Sequence, residues 1–243
     1  MKKLLLLLLT ALVAPVACAD EPKKDAPPAP SAKPAEKAKP ADTAKPADAA
    51  KPTTDKKMET ITLGAGCFWC IEVILQRVNG VQSVTSGYSN GHTKNPTYKD
   101  ICTGTTGHAE VVQVVYDPAV ISTEKLLHVF FELHDPTTLN RQGHDRGTQY
   151  RSGIFYHTEE QKKIAEKVKE EVGKSGKFKD AIVTEITKLD SWTKGEDYHQ
   201  NYFNENYTKG TGNWRYCNAT IIPKLKKMGL LKPEEKKVAE ENE

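Results

Sequence analysis

The sequence predicts an α/β (α+β) fold, a two-layer arrangement in which helices cover a mixed β-sheet. Three observations lead there. Strand-like and helix-like runs alternate through residues 58–231, two strand runs follow one another with no helix between them, and several polar loops exceed the length of simple connections. The elements can be taken in order. Thr60-Ile61-Thr62-Leu63 reads as a strand ending at Gly64-Ala65-Gly66, and apolar residues at 68, 71, 74, 75 and 78 predict a helix from Cys67 to Val78. Asn79-Gly80 stops it, and Val81 to Tyr88 is a second strand. His108 to Tyr116, rich in valine, is the candidate central strand. Ser122 or Thr123 caps a helix through Leu133, Ser152 to Tyr156 is a strand, and Thr158 with Gln161 forms a capping box opening a helix to about Val172. Ala181 to Ile186 is a further strand candidate. The loops at 89–107, 135–148 and 187–217 have the length of functional rather than connecting segments.

The ends of the chain differ in composition. Residues 1–19 carry Lys2 and Lys3, an apolar run from Leu4 to Val13, and Ala17-Cys18-Ala19, the pattern of a secretion signal. Lipidation of Cys18 competes with simple cleavage, although Pro15 is a poor fit to a lipoprotein signal. Residues 20–57 lack Val, Ile, Leu, Met, Cys and aromatic residues and repeat a Lys-Pro-Ala-acid motif, so they are expected to be a disordered Ala/Lys/Pro-rich linker. Residues 232–243 form a charged tail, expected to be frayed or a solvated helix. Export to the periplasm or cell envelope follows, with membrane contact only if Cys18 is lipidated. The net charge of +3 owes much to linker and tail lysines, and no basic stripe marks the domain, so nucleic acid is not an expected partner.

The segment Gly64 to Glu72, "GAGCFWCIE", carries the most chemistry. A thiol at a helix start lies beside free N–H groups and the positive end of the helix dipole, which predicts a lowered pKa for Cys67. Cys70 lies on the same helix face. A redox couple, a structural disulfide and a metal half-site all remain open on these two residues. Zinc lacks a second ligand pair, because Cys102 and Cys217 are isolated, and Ile71 excludes covalent haem attachment. Phe68 and Trp69 offer an apolar wall beside the thiol.

Further motifs follow in order: Asn95-Pro96-Thr97-Tyr98, then Gly104 to Glu110 (GTTGHAE), Val115-Tyr116-Asp117-Pro118, His134-Asp135-Pro136-Thr137, Asn140 to Ser152 (NRQGHDRGTQYRS), and Glu196-Asp197-Tyr198-His199-Gln200. With Gly66-Cys67-Phe68-Trp69 they make residues 60–225 resemble the A-type peptide methionine sulfoxide reductases. The resemblance implies a ferredoxin-like core and thiol-dependent reduction of (S)-methionine sulfoxide, free or in oxidised proteins. It implies Cys67 as nucleophile, Glu110 as proton donor, Tyr98 and Tyr150 as hydrogen-bond donors to the sulfoxide oxygen, and Asp145 as an orienting group. Phe68 and Trp69 would enclose the S-methyl group, with His199 on the substrate side. Cys67 would pass through a sulfenic acid and be resolved to a disulfide.

The commonest family pattern has Gly where this chain has Cys70. Cys217 is the expected first resolver, with Cys70 as direct resolver or relay in the alternative. No metal or organic cofactor is implied; the expected reductant is an external thioredoxin-like dithiol protein, and the domain is expected to act as a monomer. A disulfide oxidoreductase or oxidant sensor built on Cys67 and Cys70 is the first competing reading, and a surface binding module with structural disulfides the second.

Overall fold

The computed structural model describes residues 57–241. The predicted signal at 1–19, Cys18 and the linker up to residue 56 lie outside the described residues. Eight strands and eight helices follow in order among those described: β1 (Glu59–Ala65), α1 (Phe68–Leu75), β2 (Val81–Ser89), α2 (Tyr98–Cys102), β3 (Ala109–Tyr116), α3 (Thr123–Leu133), β4 (Arg141–Gln142), β5 (Asp145–Arg146), β6 (Ser152–Tyr156), α4 (Glu159–Lys174), β7 (Glu185–Lys188), β8 (Trp192–Lys194), α5 (Tyr202–Asn206), α6 (Trp214–Tyr216), α7 (Ile222–Lys227) and α8 (Pro233–Glu241).

Six strands form one sheet in the order β7-β6-β1-β3-β2-β8, and β4 and β5 make a separate hairpin. β3 lies between β1 and β2 and pairs antiparallel with both, while β1 lies between β3 and β6. Two split β-α-β units therefore interlock, β1-α1-β2 around β3 and β3-α3-β6 around β1, which is the ferredoxin-like core. β7 adds to β6 in parallel after α4, and β8 adds antiparallel to β2, so the sheet is mixed.

Strand parity divides the burial. Ile61, Leu63 and Ala65 of β1, Val112, Val114 and Tyr116 of β3, and Ile154 of β6 belong to the main core with α1, α3 and α4. The alternate residues Ala109, Val111 and Phe155 face the other way, where Leu189 and Trp192 cover them on the path from β7 to β8. Caps fix the helices. Ser122 Oγ accepts from Lys125 N–H, and Thr158 Oγ1 accepts from Gln161 N–H. Gln161 then donates to the Thr60 carbonyl at 2.8 Å, tying the start of α4 to β1.

Four expectations shift. The helix after Cys67 ends at Leu75 rather than Val78, because the chain tightens into i→i+3 turns from Ile74 and Leu75. The strand predicted at 181–186 sits at Glu185–Lys188, since Val183 N–H turns instead to the Pro136 carbonyl. The loop 187–217 contains β8 and two short helices. The charged tail is a docked helix rather than a frayed end: Glu235 is buried and takes two hydrogen bonds from Arg77, at 2.6 and 2.9 Å. No helix among the described residues is long and apolar enough to cross a membrane.

Arg77 also donates to the Leu230 carbonyl, so one guanidinium just past the end of α1 joins it to the C-terminal segment that carries α8. Removing its partner strands a buried cation. Glu235→Ala is expected to lower stability by about 3 kcal/mol, measured as a reduced urea midpoint at unchanged slope.

Candidate active site

Cys67 is the N-cap residue of α1, at the junction where β1 becomes helix. Gly66 makes the junction possible: its φ is +88°, and a Cβ there would lie 2.6 Å from Gln142 Cβ on the β4–β5 hairpin. Gln142 in turn accepts from Asp135 N–H and donates to the Asp135 carbonyl, which fastens the 135–148 loop over the junction. The hairpin brings Asp145 to the thiol.

The predicted acidic Cys67 is not what the local geometry produces. Its side chain takes no hydrogen bond from the helix start; Glu110 Oε2 accepts from Phe68 N–H at 3.1 Å instead. The free donor of the helix is spent on the carboxylate group. Cys67 is 6% exposed, and burial pushes its thiol well above the usual range, followed by the hydrogen bond with Cys70 and the nearby charges of Cys70, Glu110 and Asp145.

Glu110 has the parity of Val112 and Val114 on β3 and so faces α1, not solvent. It is 1% exposed. Burial raises its pKa well above the carboxylate range and outweighs the Phe68 N–H, which favours the ionised form. The group is a neutral acid held beside a thiol. Tyr98 and Tyr150 are both buried and lie within electrostatic reach of Glu110 and Cys67, with burial the main cause of their raised pKa values.

Phe68 and Trp69 are fully buried, Phe68 stacking over Tyr98 with centroids 6.5 Å apart. Trp69 lies flat on Tyr202 at 3.7 Å and donates from Nε1 to His199 Nδ1 at 3.1 Å. His199 is therefore a support beneath the aromatic wall: it is wholly buried, its Nδ1 serves as an acceptor, and desolvation lowers its pKa to about 4, keeping it neutral. The rest of its motif works the same way. Glu196 accepts from Tyr98 N–H at 2.8 Å and from Tyr88 Oη at 2.7 Å. Gln200 pairs with both the N–H and the carbonyl of Ser86, docking the loop on β2. Glu72, buried one turn along α1, accepts from Tyr202 N–H and so helps seat the residue under Trp69.

The three thiols are not equivalent. Cys70 is 1% exposed and shares a hydrogen bond with Cys67. That bond is the main influence lowering Cys70 to about 7; burial opposes it, while the Lys224 charge and Tyr216 add to it. The two thiols titrate as a pair in which the negative charge rests on Cys70. Cys217 opens a π-helical turn, Cys217–Ile221, and is also buried. Desolvation and then the charge of Cys70 push it up to about 12. Of the other two thiols, Cys70 is the one whose charge acts on Cys217.

One participant was not foreseen in the sequence. Tyr216 Oη donates to Asp145 Oδ2 at 2.8 Å and lies 3.6 Å from Cys70 Sγ. These contacts span 71 and 146 residues of chain, a separation no local pattern encodes. Glu196 could have been found, since its motif was already singled out.

A buried thiol, a buried acid of raised pKa and two tyrosines gathered among aromatic rings define a thiol-dependent enzyme acting on a polar oxygen-bearing group. The sequence model of the peptide methionine sulfoxide reductase family matches residues 59–236, and the chain belongs to that family. The peptide methionine sulfoxide reductase MsrA of Saccharolobus solfataricus is 51% identical over 183 residues, covering 75% of this chain and 99% of its own. The MsrA of Natronomonas pharaonis is 51% identical over 166 residues, covering 68% and 90%. Among solved structures, reduced Mxr1 from Saccharomyces cerevisiae is 39% identical and superposes with a TM-score of 0.59, covering 63% of this chain and 87% of that one.

The raised Glu110 pKa has a cost in stability. The folded state holds a proton above the ordinary carboxylate pKa that the unfolded chain releases, so this contribution is present at low pH and is lost as pH rises through the folded value. Glu110→Gln is expected to be more stable than the parent at neutral and alkaline pH, with the gap closing towards pH 4, as read by denaturant midpoints across pH.

Proposed function

We infer that this chain reduces (S)-methionine sulfoxide, free or in proteins, to methionine, and so repairs oxidatively damaged proteins. The carrying observation is the Glu110 carboxyl, buried next to the Cys67 helix start and held by Phe68 N–H at 3.1 Å, where burial raises its pKa. A sulfoxide oxygen placed there receives the Glu110 proton while the Tyr98 and Tyr150 hydroxyls stabilise its developing charge. Phe68 and Trp69 flank the S-methyl group. Cys67 sulfur attacks the sulfoxide sulfur, and its proton passes to Cys70 along the hydrogen bond the two thiols share. The oxygen then bonds to the Cys67 sulfur as both the substrate's sulfur–oxygen bond and the new sulfur–sulfur bond break; methionine leaves with the electron pair, and Cys67 is left as a sulfenic acid whose hydrogen came from Glu110.

Resolution then falls first to Cys70, in place of Cys217. Support comes from the hydrogen bond between Cys67 and Cys70, and from the position of Cys67 at the helix N-cap, where a Cys-x-x-Cys bridge avoids the strain of a regular helix. Cys217 receives the disulfide from Cys70 in a second exchange. An external thioredoxin-like dithiol protein restores the thiols, with no organic cofactor or metal taking part. The composition of residues 1–57 supports export, in which case that reductant works outside the cytoplasm.

Turnover of S- and R-sulfoxide peptides with a dithiol reductant tests the reading. The S form is expected to react and the R form not; no turnover of the S form sinks the proposal. Cys67→Ser is expected to lose at least about 1,000-fold in kcat, and Glu110→Gln about 100-fold. The parent rate should fall as pH rises past the Glu110 pKa, because an ionised carboxylate has no proton to give.

A further inference from the structure

We propose that Tyr216 carries the proton of the resolving thiol to Asp145, so that Cys70 attacks oxidised Cys67 without releasing its hydrogen to solvent. The inference rests on Cys70 as resolver. It begins with a difficulty of that role: Cys70 is 1% exposed, so no bulk water stands ready to take its proton. Several groups face it. Cys67 is oxidised at that moment, Lys224 is a cation with no free pair, and Glu110 and Cys217 act on it only through charge. Tyr216 and Asp145 remain.

A tyrosine hydroxyl has one hydrogen and can also accept. Here the hydrogen points to Asp145 Oδ2 at 2.8 Å, which leaves the oxygen free to accept from Cys70 Sγ–H at 3.6 Å. The chain Cys70 S–H···Oη–H···Oδ2 is complete. Shifting both hydrogens one place delivers a proton from sulfur to carboxylate while the tyrosine stays neutral. That neutrality matters, because burial makes the tyrosinate form costly. Asp145 suits the receiving end, since burial already raises its affinity for a proton.

The step balances. The Cys70 sulfur forms a bond to the Cys67 sulfur as the Cys67 sulfur–oxygen bond breaks. The departing oxygen keeps the electron pair and its own hydrogen, and takes the proton stored on Asp145, leaving as water. Asp145, within electrostatic reach of Cys67, returns to its carboxylate form. One sulfenic-level sulfur, oxidised earlier by the sulfoxide, and one thiol-level sulfur end as one disulfide and water, so no further oxidant is needed.

The test is a single turnover without reductant, quenched in acid at intervals. Methionine yield, sulfenic acid trapped by a cyclic dione, and disulfide mapping are read together. In the parent, Cys67–Cys70 formation should follow methionine formation closely and vary little over the acid-to-neutral range. In Tyr216→Phe, one methionine per protein should still form, which proves an assembled site. Sulfenic acid should accumulate, and disulfide formation should slow at least tenfold and rise about tenfold per pH unit, as hydroxide replaces the relay. A Tyr216→Phe variant with parental rate and pH profile overturns the proposal. If that variant forms no methionine, Asp145→Asn takes its place for the same disulfide reading, because an amide cannot store the proton. Cys70→Ser separates the underlying reading: a Cys67–Cys217 bond formed at the parental rate removes Cys70 as resolver, whatever Tyr216 does.

Discussion

The hydrogen bond from Phe68 N–H to Glu110 Oε2 is the contact on which the site depends. It joins the first turn of α1 to the middle of the sheet at 3.1 Å, and it decides where the helix's free donor goes. Had the Cys67 sulfur taken that donor, the thiol would be acidic and the carboxyl would have no anchor. As built, Glu110 is fixed and Cys67 rests as a thiol. The contact also requires the observed register, because a slip of one residue along β3 would send Glu110 to the opposite face among Ala109 and Val111.

Around this bond, aromatic rings do the positioning. The loop from Gly195 to Gln200 reaches back to β2 through Gln200 and to the start of α2 through Glu196, and it holds His199 under Trp69. The 135–148 loop closes from the other side through Gln142 and Asp145. Side-chain bonds hold both loops although they contain little regular structure: Gln200 and Glu196 bond backbone groups of β2 and α2, and Asp145 accepts from the Tyr216 hydroxyl.

Much of this was readable in the chain. The alternation of periodicities gave the strands and helices of the ferredoxin-like core, and the glycines before Cys67 marked the strand-to-helix turn. The role of Glu110 was harder, since an exposed carboxylate after a strand start looks the same until its parity with Val112 and Val114 is fixed by pairing. One reading failed: a lowered Cys67 pKa was argued from local position, whereas burial and distant partners determine it. Tyr216 lay outside reach altogether, because its meaning comes from Asp145 and Cys70, which only the folded chain brings to it. The tail misled through composition: a charged segment reads as solvated unless one of its acids meets a buried arginine.

The direction of β1 has a consequence for how the domain is presented. Cys67 follows the strand's last residue, Ala65, while Glu59 begins it at the other end, opposite Tyr116. Seven residues of strand at about 3.3 Å each set these points roughly 20 Å apart. Anything joined ahead of Glu59 therefore holds the molecule by the side remote from its reactive sulfur.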